Sequence, residues 1–258
     1  MKIYTPGTCA GTQPIEGAHH VSTAIETESG VYFIDAGECA GYTAHLKGVD
    51  LLKTKAVFIT HTHMDHVGGL GNLLWYIRKV DIVKGHPLTS DDNIDIFAPF
   101  TQTVDGFFQV LKNTEGDFST AYTHTVHSFT DGVIFDNCDI RVTAVHTNHM
   151  PKKDGKYSSY AFRIECEGKT VVFSGDMRIE DMKNILPEKC DAFFVETGHH
   201  QIEDICRVIK EEKKQVNRLL FTHNGGYIVR DIEAARRRVY AAFGENAAVC
   251  RDGDVFLI

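Results

Sequence analysis

His61, His63, Asp65 and His66 fall within six residues, His61-Thr62-His63-Met64-Asp65-His66, directly after the apolar run Ala56-Val57-Phe58-Ile59. Imidazole nitrogen and carboxylate oxygen are the donors that zinc and similar borderline divalent ions prefer. His61 and His63 are two apart and project to the same side of an extended segment, and Gly68-Gly69 lets the chain turn just beyond Asp65 and His66. One strand end can therefore serve two adjacent ions. The competing reading is a surface loop that happens to be rich in histidine, in a chain that holds 14 of them.

The same arrangement recurs along the chain: a buried strand ends and a metal-capable residue follows. It does so at Asp35, at His146 or His149, at Asp176 and at His223. Residues at strand ends on one edge of a sheet converge on a common crevice, so a polynuclear site can be assembled from them. The ligand count fits two divalent ions, one held by His61, His63 and His149, the other by Asp65, His66 and His223, with the Asp176 carboxylate bridging. A hydroxide between ions ~3.5–4 Å apart is a nucleophile near neutral pH, and no Ser or Cys nucleophile is then required. Asp65 is expected to serve catalysis as well as ligation. Zinc is the first expectation for the ions, with manganese or iron as alternatives, because His/Asp sites accept several metals.

Elements that could position these residues are readable around them. Val21–Thr27 and Val31–Asp35 form an expected hairpin, Ala44–Leu52 a short helix, Lys55–Thr60 a buried strand, Leu70–Lys79 a helix with basic residues at its end, and Val80–Val83 a strand. Leu88–Phe129 is expected to hold one or two helices and a loop. Strands return at Val133–Phe135 and Ile140–Val145, a second hairpin at Ser159–Phe173, and strands at Ala192–Glu196 and Arg218–Thr222 separated by a helix at Ile202–Lys214. A helix over Arg230–Phe243 and an edge strand over Val255–Ile258 end the chain. Hairpins followed by strand-helix units occur once in each half, as in a duplicated half-sandwich.

Hydrophobic residues are 43% and charged residues 24%, the balance of a globular chain, and the net charge of −8 argues against holding long nucleic acid by unaided phosphate neutralisation. Met1–Gly7 lacks a charged segment followed by an apolar one, and no run approaches the ~18 apolar residues of a membrane span. The expectation is a cytoplasmic protein without membrane association. Its seven scattered cysteines, odd in number and without a C-x-x-C pair, are expected to be reduced. A homo-oligomer is compatible with the sequence.

His61-Thr62-His63-Met64-Asp65-His66-Val67-Gly68-Gly69, Asn148-His149, Phe173-Ser174-Gly175-Asp176 and Phe221-Thr222-His223, preceded by Ile34-Asp35-Ala36-Gly37, resemble in order the motifs of the metallo-β-lactamase superfamily. The resemblance runs from about Val21 to the C-terminus and implies an α/β (α+β) fold, a four-layer αβ/βα sandwich with the metal site at one edge between the sheets. It implies a single domain over 1–258 with an insertion at 88–129. His63 stands where the flavodiiron members carry Glu, which implies a hydrolase, and His66 beside Asp65 does not match the first-described β-lactamase subclass.

Tyr160–Glu165 with Gly168-Lys169 and Ser174-Gly175-Asp176 resembles the corresponding stretch of tRNase Z and of the phosphodiesterase that processes cyclic ribose phosphate, and Asp252-Gly253-Asp254-Val255 resembles the latter. No long exosite arm is identifiable. The implied function is a dinuclear phosphodiesterase acting on a small or nucleotide-like phosphodiester. Hydrolysis of a lactone, thioester or other carboxylic ester is the first alternative, and a non-catalytic metal-binding sensor the second. His149 is preferred over His146 because Asn148-His149-Met150-Pro151 resembles the family's Asn-His-Pro loop. In Glu196-Thr197-Gly198-His199-His200 one histidine, with His200 preferred, is expected to orient the phosphate or protonate the leaving oxygen. Asp35 is expected beside the ligands rather than among them, and His19-His20 as a solvated pair.

Overall fold

Apolar side chains in the central strands run almost without interruption because both faces of each strand are covered. The computed structural model describes residues 1–258. Its first half contains β1 (Lys2–Gly7), β2 (Ser22–Glu26), β3 (Val31–Ala36), α1 (Ala40–Leu46), β4 (Thr54–Phe58), α2 (Met64–Val67), α3 (Leu70–Val83), β5 (Asn93–Phe97), α4 (Gln102–Thr114) and β6 (Thr123–His127). The second half contains β7 (Gly132–Asp136), β8 (Ile140–His146), β9 (Tyr160–Cys166), β10 (Lys169–Phe173), α5 (Met182–Ile185) and β11 (Lys189–Thr197). It continues with α6 (Ile202–Glu211), β12 (Gln215–Asn224), α7 (Gly226–Val229), α8 (Ile232–Phe243), β13 (Ala247–Val249) and β14 (Asp254–Leu257).

Two seven-stranded sheets result, ordered β14-β1-β2-β3-β4-β5-β6 and β13-β12-β11-β10-β9-β8-β7. In each, antiparallel pairs give way to parallel ones: β3 pairs β4 in parallel, as β10 pairs β11. Alternation along single strands shows the layering. Tyr32 and Ile34 of β3, Ala56 and Phe58 of β4 and Phe194 of β11 join a core between the sheets. Val31, Phe33 and Val57 face α1, α3 and α4 instead, while Phe193 and Val195 face α5, α6 and α8. Four layers follow, helices outside and sheets inside. Phe58 stacks on Phe97 at 5.0 Å and meets Phe162 edge-on across the sheets at 6.0 Å. Each such buried ring contributes ~2–3 kcal/mol of transfer free energy. No helix is long and apolar enough to cross a membrane.

Some elements differ from expectation. Val80–Val83 is the last turn of α3 and not a strand, because Leu70, Leu73, Leu74, Ile77 and Asp81 continue one buried helical stripe. Asp81 is buried there and accepts from the Leu88 backbone at 3.0 Å, fixing the exit of the helix. Residues 88–129 form a β5-α4-β6 crossover that extends the first sheet in parallel. The signal was faint because β6, Thr-His-Thr-Val-His, is an edge strand and carries the polar composition that edges tolerate. The N-terminal strand β1 and the short β13 were not anticipated.

His124 of β6 sits among Phe108, Phe118 and Tyr122, at 5.1–5.9 Å between ring centroids, and its Nε2 is buried without a hydrogen-bond partner. Burial lowers its pKa to about 4. The unfolded chain, with an ordinary histidine near 6.5, then binds the proton more readily, so stability is lost as pH falls from ~6.5 toward ~4. We expect ~2 kcal/mol of acid sensitivity from this residue. Urea unfolding should show wild type losing stability relative to His124→Phe as pH falls through that window, and a difference independent of pH would contradict the assignment.

Candidate metal centre

Two strand-end bulges shape the site. In β3 the register with β2 slips so that Asp35 lies between the paired Ile34 and Ala36, with φ of +58°. In β12 the register with β11 slips at His223, between Thr222 and Asn224, and φ there is +45°. Each bulge places a side chain in the sparsely populated left-handed region and turns it out of the alternation of its strand. Asp35 then accepts from the Thr60 backbone at 2.8 Å and from His66 Nδ1–H at 2.8 Å. A histidine held at Nδ1 by a carboxylate presents Nε2 in a fixed direction, the usual support of a metal-ligating imidazole.

His61, His63, His149 and Asp176 form one group and Asp65, His66 and His223 another, the ligand atoms of each lying within 4.8 Å of one another. His61 Nε2 is 3.0 Å from His63 Nδ1, and His149 Nε2 is 3.4 Å from the same atom. In the second group His66 Nε2 lies 3.1 Å from His223 Nε2, which lies 3.1 Å from Asp65 Oδ2. Asp176 stands between them. Its Oδ2 is 3.7 and 3.5 Å from His61 and His149, and its Oδ1 is 3.2 and 3.3 Å from His66 and His223. One carboxylate thus offers one oxygen to each group.

Neither histidine near Asp176 Oδ1 is aligned to satisfy it, and both Asp176 Oδ1 and His223 Nδ1 are buried without hydrogen-bond partners. Unpaired polar atoms in a buried site are costly unless a ligand completes them. A Cβ at Gly198 would lie 2.7 Å from His223 Nδ1, so only glycine lets the backbone close over that ring. These orphaned donors and the converging imidazoles fit divalent cations.

The electrostatics agree. Burial opposes charge on His66, yet Asp176 and Asp35 carry its pKa well above the ordinary range. For His223 burial is likewise outweighed, by Asp176, then by the hydrogen bond to Asp65 and the nearby Glu196 carboxylate, and its pKa rises to about 9. His61 moves the other way, well below the ordinary value, through burial and its neighbour His66. The carboxylates therefore call for positive charge, and a cation competes with protons for the same lone pairs.

Glu196, at the end of the apolar run in β11, was not singled out as a functional residue by sequence. It is 1% exposed and accepts from the His199 backbone N–H at 2.9 Å and from His199 Nδ1–H at 3.0 Å. Burial would raise its pKa, but His199 and His223 hold it down at about 2. His199, whose side chain is half exposed, is thereby held with Nδ1 3.8 Å from Asp176 Oδ2. Of the two candidate histidines, His200, preferred from sequence, donates its Nε2–H to the Met177 carbonyl at 3.0 Å, whereas His199 groups with Asp176, Glu196 and His223. His146 lies outside the cluster, paired with Asp131 at 2.7 Å. His19 and His20 pair with Asp252 and Glu38 and remain partly exposed to solvent.

Asp181 was also missed, since it reads as an ordinary acidic residue at a helix start. It is buried and accepts from Asn148 N–H at 2.8 Å, Asn148 Nδ2–H at 2.5 Å and Arg178 N–H at 2.9 Å. This clasps the loop that carries His149. Asp181→Ala should reduce metal affinity of the His61 group about 10–100-fold, as losses just outside a metal's ligands do. Competition with a chromogenic chelator measures it, and wild-type affinity would remove the role.

The sequence profile of the family described as Anti-Pycsar protein Apyc1 matches residues 1–216. Ribonuclease Z of Mycobacterium marinum is 26% identical over 164 residues, covering 60% of this chain and 56% of that protein. The chain thus spans little more than half the length of that curated relative. Among solved structures, the metallo-β-lactamase fold protein YhfI of Bacillus subtilis superposes with a TM-score of 0.74 at 20% identity, over 99% of this chain and 98% of the other. The short form of human tRNase Z superposes with a TM-score of 0.72 at 17% identity, over 100% and 99%. The architecture is that of the metallo-β-lactamase fold.

Proposed function

Because the chain belongs to the family described as Anti-Pycsar protein Apyc1, within the metallo-β-lactamase superfamily, we propose that it is a dinuclear metal-dependent phosphodiesterase acting on a small or nucleotide-like phosphodiester. The observation that carries this reading is the single Asp176 carboxylate offering one oxygen to each of two histidine groups. His61, His63 and His149 would hold one ion, Asp65, His66 and His223 the other, with Asp176 shared. Two divalent ions, zinc first among the candidates, supply Lewis acidity toward water and charge for the phosphoryl oxygens.

The chain's own residues do the rest. Asp35 and Thr60 fix the direction of His66. Glu196 takes the Nδ1 proton of His199 as a hydrogen bond, which leaves Nε2 to give its proton to the departing oxygen. The relative named ribonuclease Z favours phosphorus over carbon as the centre attacked. A net charge of −8 favours a small diester over long RNA, whose backbone would need a basic surface.

The test is a panel assayed on protein of measured metal content: a 3′,5′-cyclic nucleotide, thymidine 5′-(4-nitrophenyl phosphate), a precursor tRNA, a lactone and a thioester. Hydrolysis of the first two is expected. Activity confined to the lactone or thioester would overturn the reading, and activity confined to the tRNA would overturn its small-substrate part.

A further inference from the structure

We propose that the cleft between the loop around Asn148–Tyr157 and the turn at Arg178–Asp181 is a base-binding subsite. It would take the heterocycle of a nucleotide-like substrate whose phosphate lies at the histidine cluster, and so it rests on the phosphodiesterase reading. The cavity holds about 530 Å³ and is lined by His149, Lys152, Tyr157 and Arg178 among others. That volume is within the range of small-molecule sites. His149 belongs to both places, since its Nε2 is 3.5 Å from Asp176 Oδ2. A group attached to a phosphate at the cluster therefore has this cleft beside it.

Tyr157 is a prepared stacking platform. One face rests on His146, with centroids 3.6 Å apart and planes 17° from parallel. His146 is in turn fixed by Asp131 through its backbone N–H at 2.6 Å and its Nδ1–H at 2.7 Å. The Lys152 ammonium lies over the ring, 3.9 Å from its centroid. An exposed, flexible lysine exchanges readily for a flat ring, because stacking of a base on an aromatic face does not depend on base identity.

Arg178 supplies the polar contact. Its Nε–H donates to the Asn148 carbonyl at 2.9 Å, which fixes the guanidinium and leaves its terminal N–H groups for an acceptor edge of the base. Asp181 does not neutralise it, since that carboxylate is occupied by Asn148 and by the Arg178 backbone. Glu180 also lines the cleft and disfavours a second phosphate there. An aromatic face, a fixed donor fork and one free carboxylate suit a neutral heterocycle better than another anion.

Calorimetric titration of the metal-loaded protein with a nucleoside 5′-monophosphate and with ribose 5-phosphate isolates the base. Wild type should bind the nucleotide about tenfold more tightly. Tyr157→Ala should bring the two within about twofold, Arg178→Met should narrow the gap, and Tyr157→Phe, which keeps the stack, should preserve it. Equal binding of both ligands by wild type, or a full preference retained in Tyr157→Ala, would overturn the subsite. Failure to hydrolyse any diester would instead remove the phosphodiesterase reading, and the binding preference reads out independently of it.

Discussion

Asp176→Ala should lose at least one equivalent of bound metal and more than about 100-fold of diester turnover, beyond what losses outside the ligand set cost. The reason is its position. No other carboxylate approaches both histidine groups: Asp65 lies with His66 and His223, and Glu196 with His199 and His223. Removing Asp176 leaves His61, His66, His149 and His223 without the charge that balances cations between them. Asp176→Asn keeps the shape but not the charge and should fall between the two. Elemental analysis beside steady-state kinetics is the measurement. Wild-type metal content in both variants would mean that Asp176 does not join the groups.

His199→Ala should have the second largest effect, and its pattern matters more than its size. A proton donor is needed most when the leaving oxygen is a poor one. Loss of His199 should lower kcat about 10²–10⁴-fold for an alkyl leaving group and far less for 4-nitrophenolate, with metal content retained. Uniform loss across leaving groups together with loss of metal would instead make His199 a ligand, since its ring nitrogen lies near Asp176, Glu196 and His223. Glu196→Gln should share the leaving-group dependence in weaker form, because it disturbs the hydrogen bond that orients the ring.

Much of the candidate site was legible in the sequence because residues able to bind a metal are few in type and crowd at strand ends. The density from His61 to His66, and the polar residue closing each of the runs that end in Asp176 and His223, stand out against the apolar strands that precede them. What escaped was whatever depends on burial alone. Glu196 looks like the polar end of a strand, and Asp181 like an acidic helix start, until the structure shows both nearly without solvent and saturated with donors. His199 and His200 are adjacent and chemically identical, so only the direction of the turn after β11 separates them. Among the elements, the buried strands were readable because both faces are apolar. The edge strand β6 and the end of α3 were not, since exposure removes the apolar signal in one and the β-branched Val80-Asp81-Ile82-Val83 imitates a strand in the other.

The two bulges also place the protein's heat resistance in opposition to its chemistry. Left-handed backbone at a non-glycine residue costs ~1–3 kcal/mol, and Asp35 and His223 both hold it at positions where glycine would relax the chain. Natural proteins sit just above the stability they require. A selection for survival at high temperature alone should therefore favour glycine or asparagine at these two positions, which lie in opposite halves of the chain, and each such gain would remove a side chain that builds the centre.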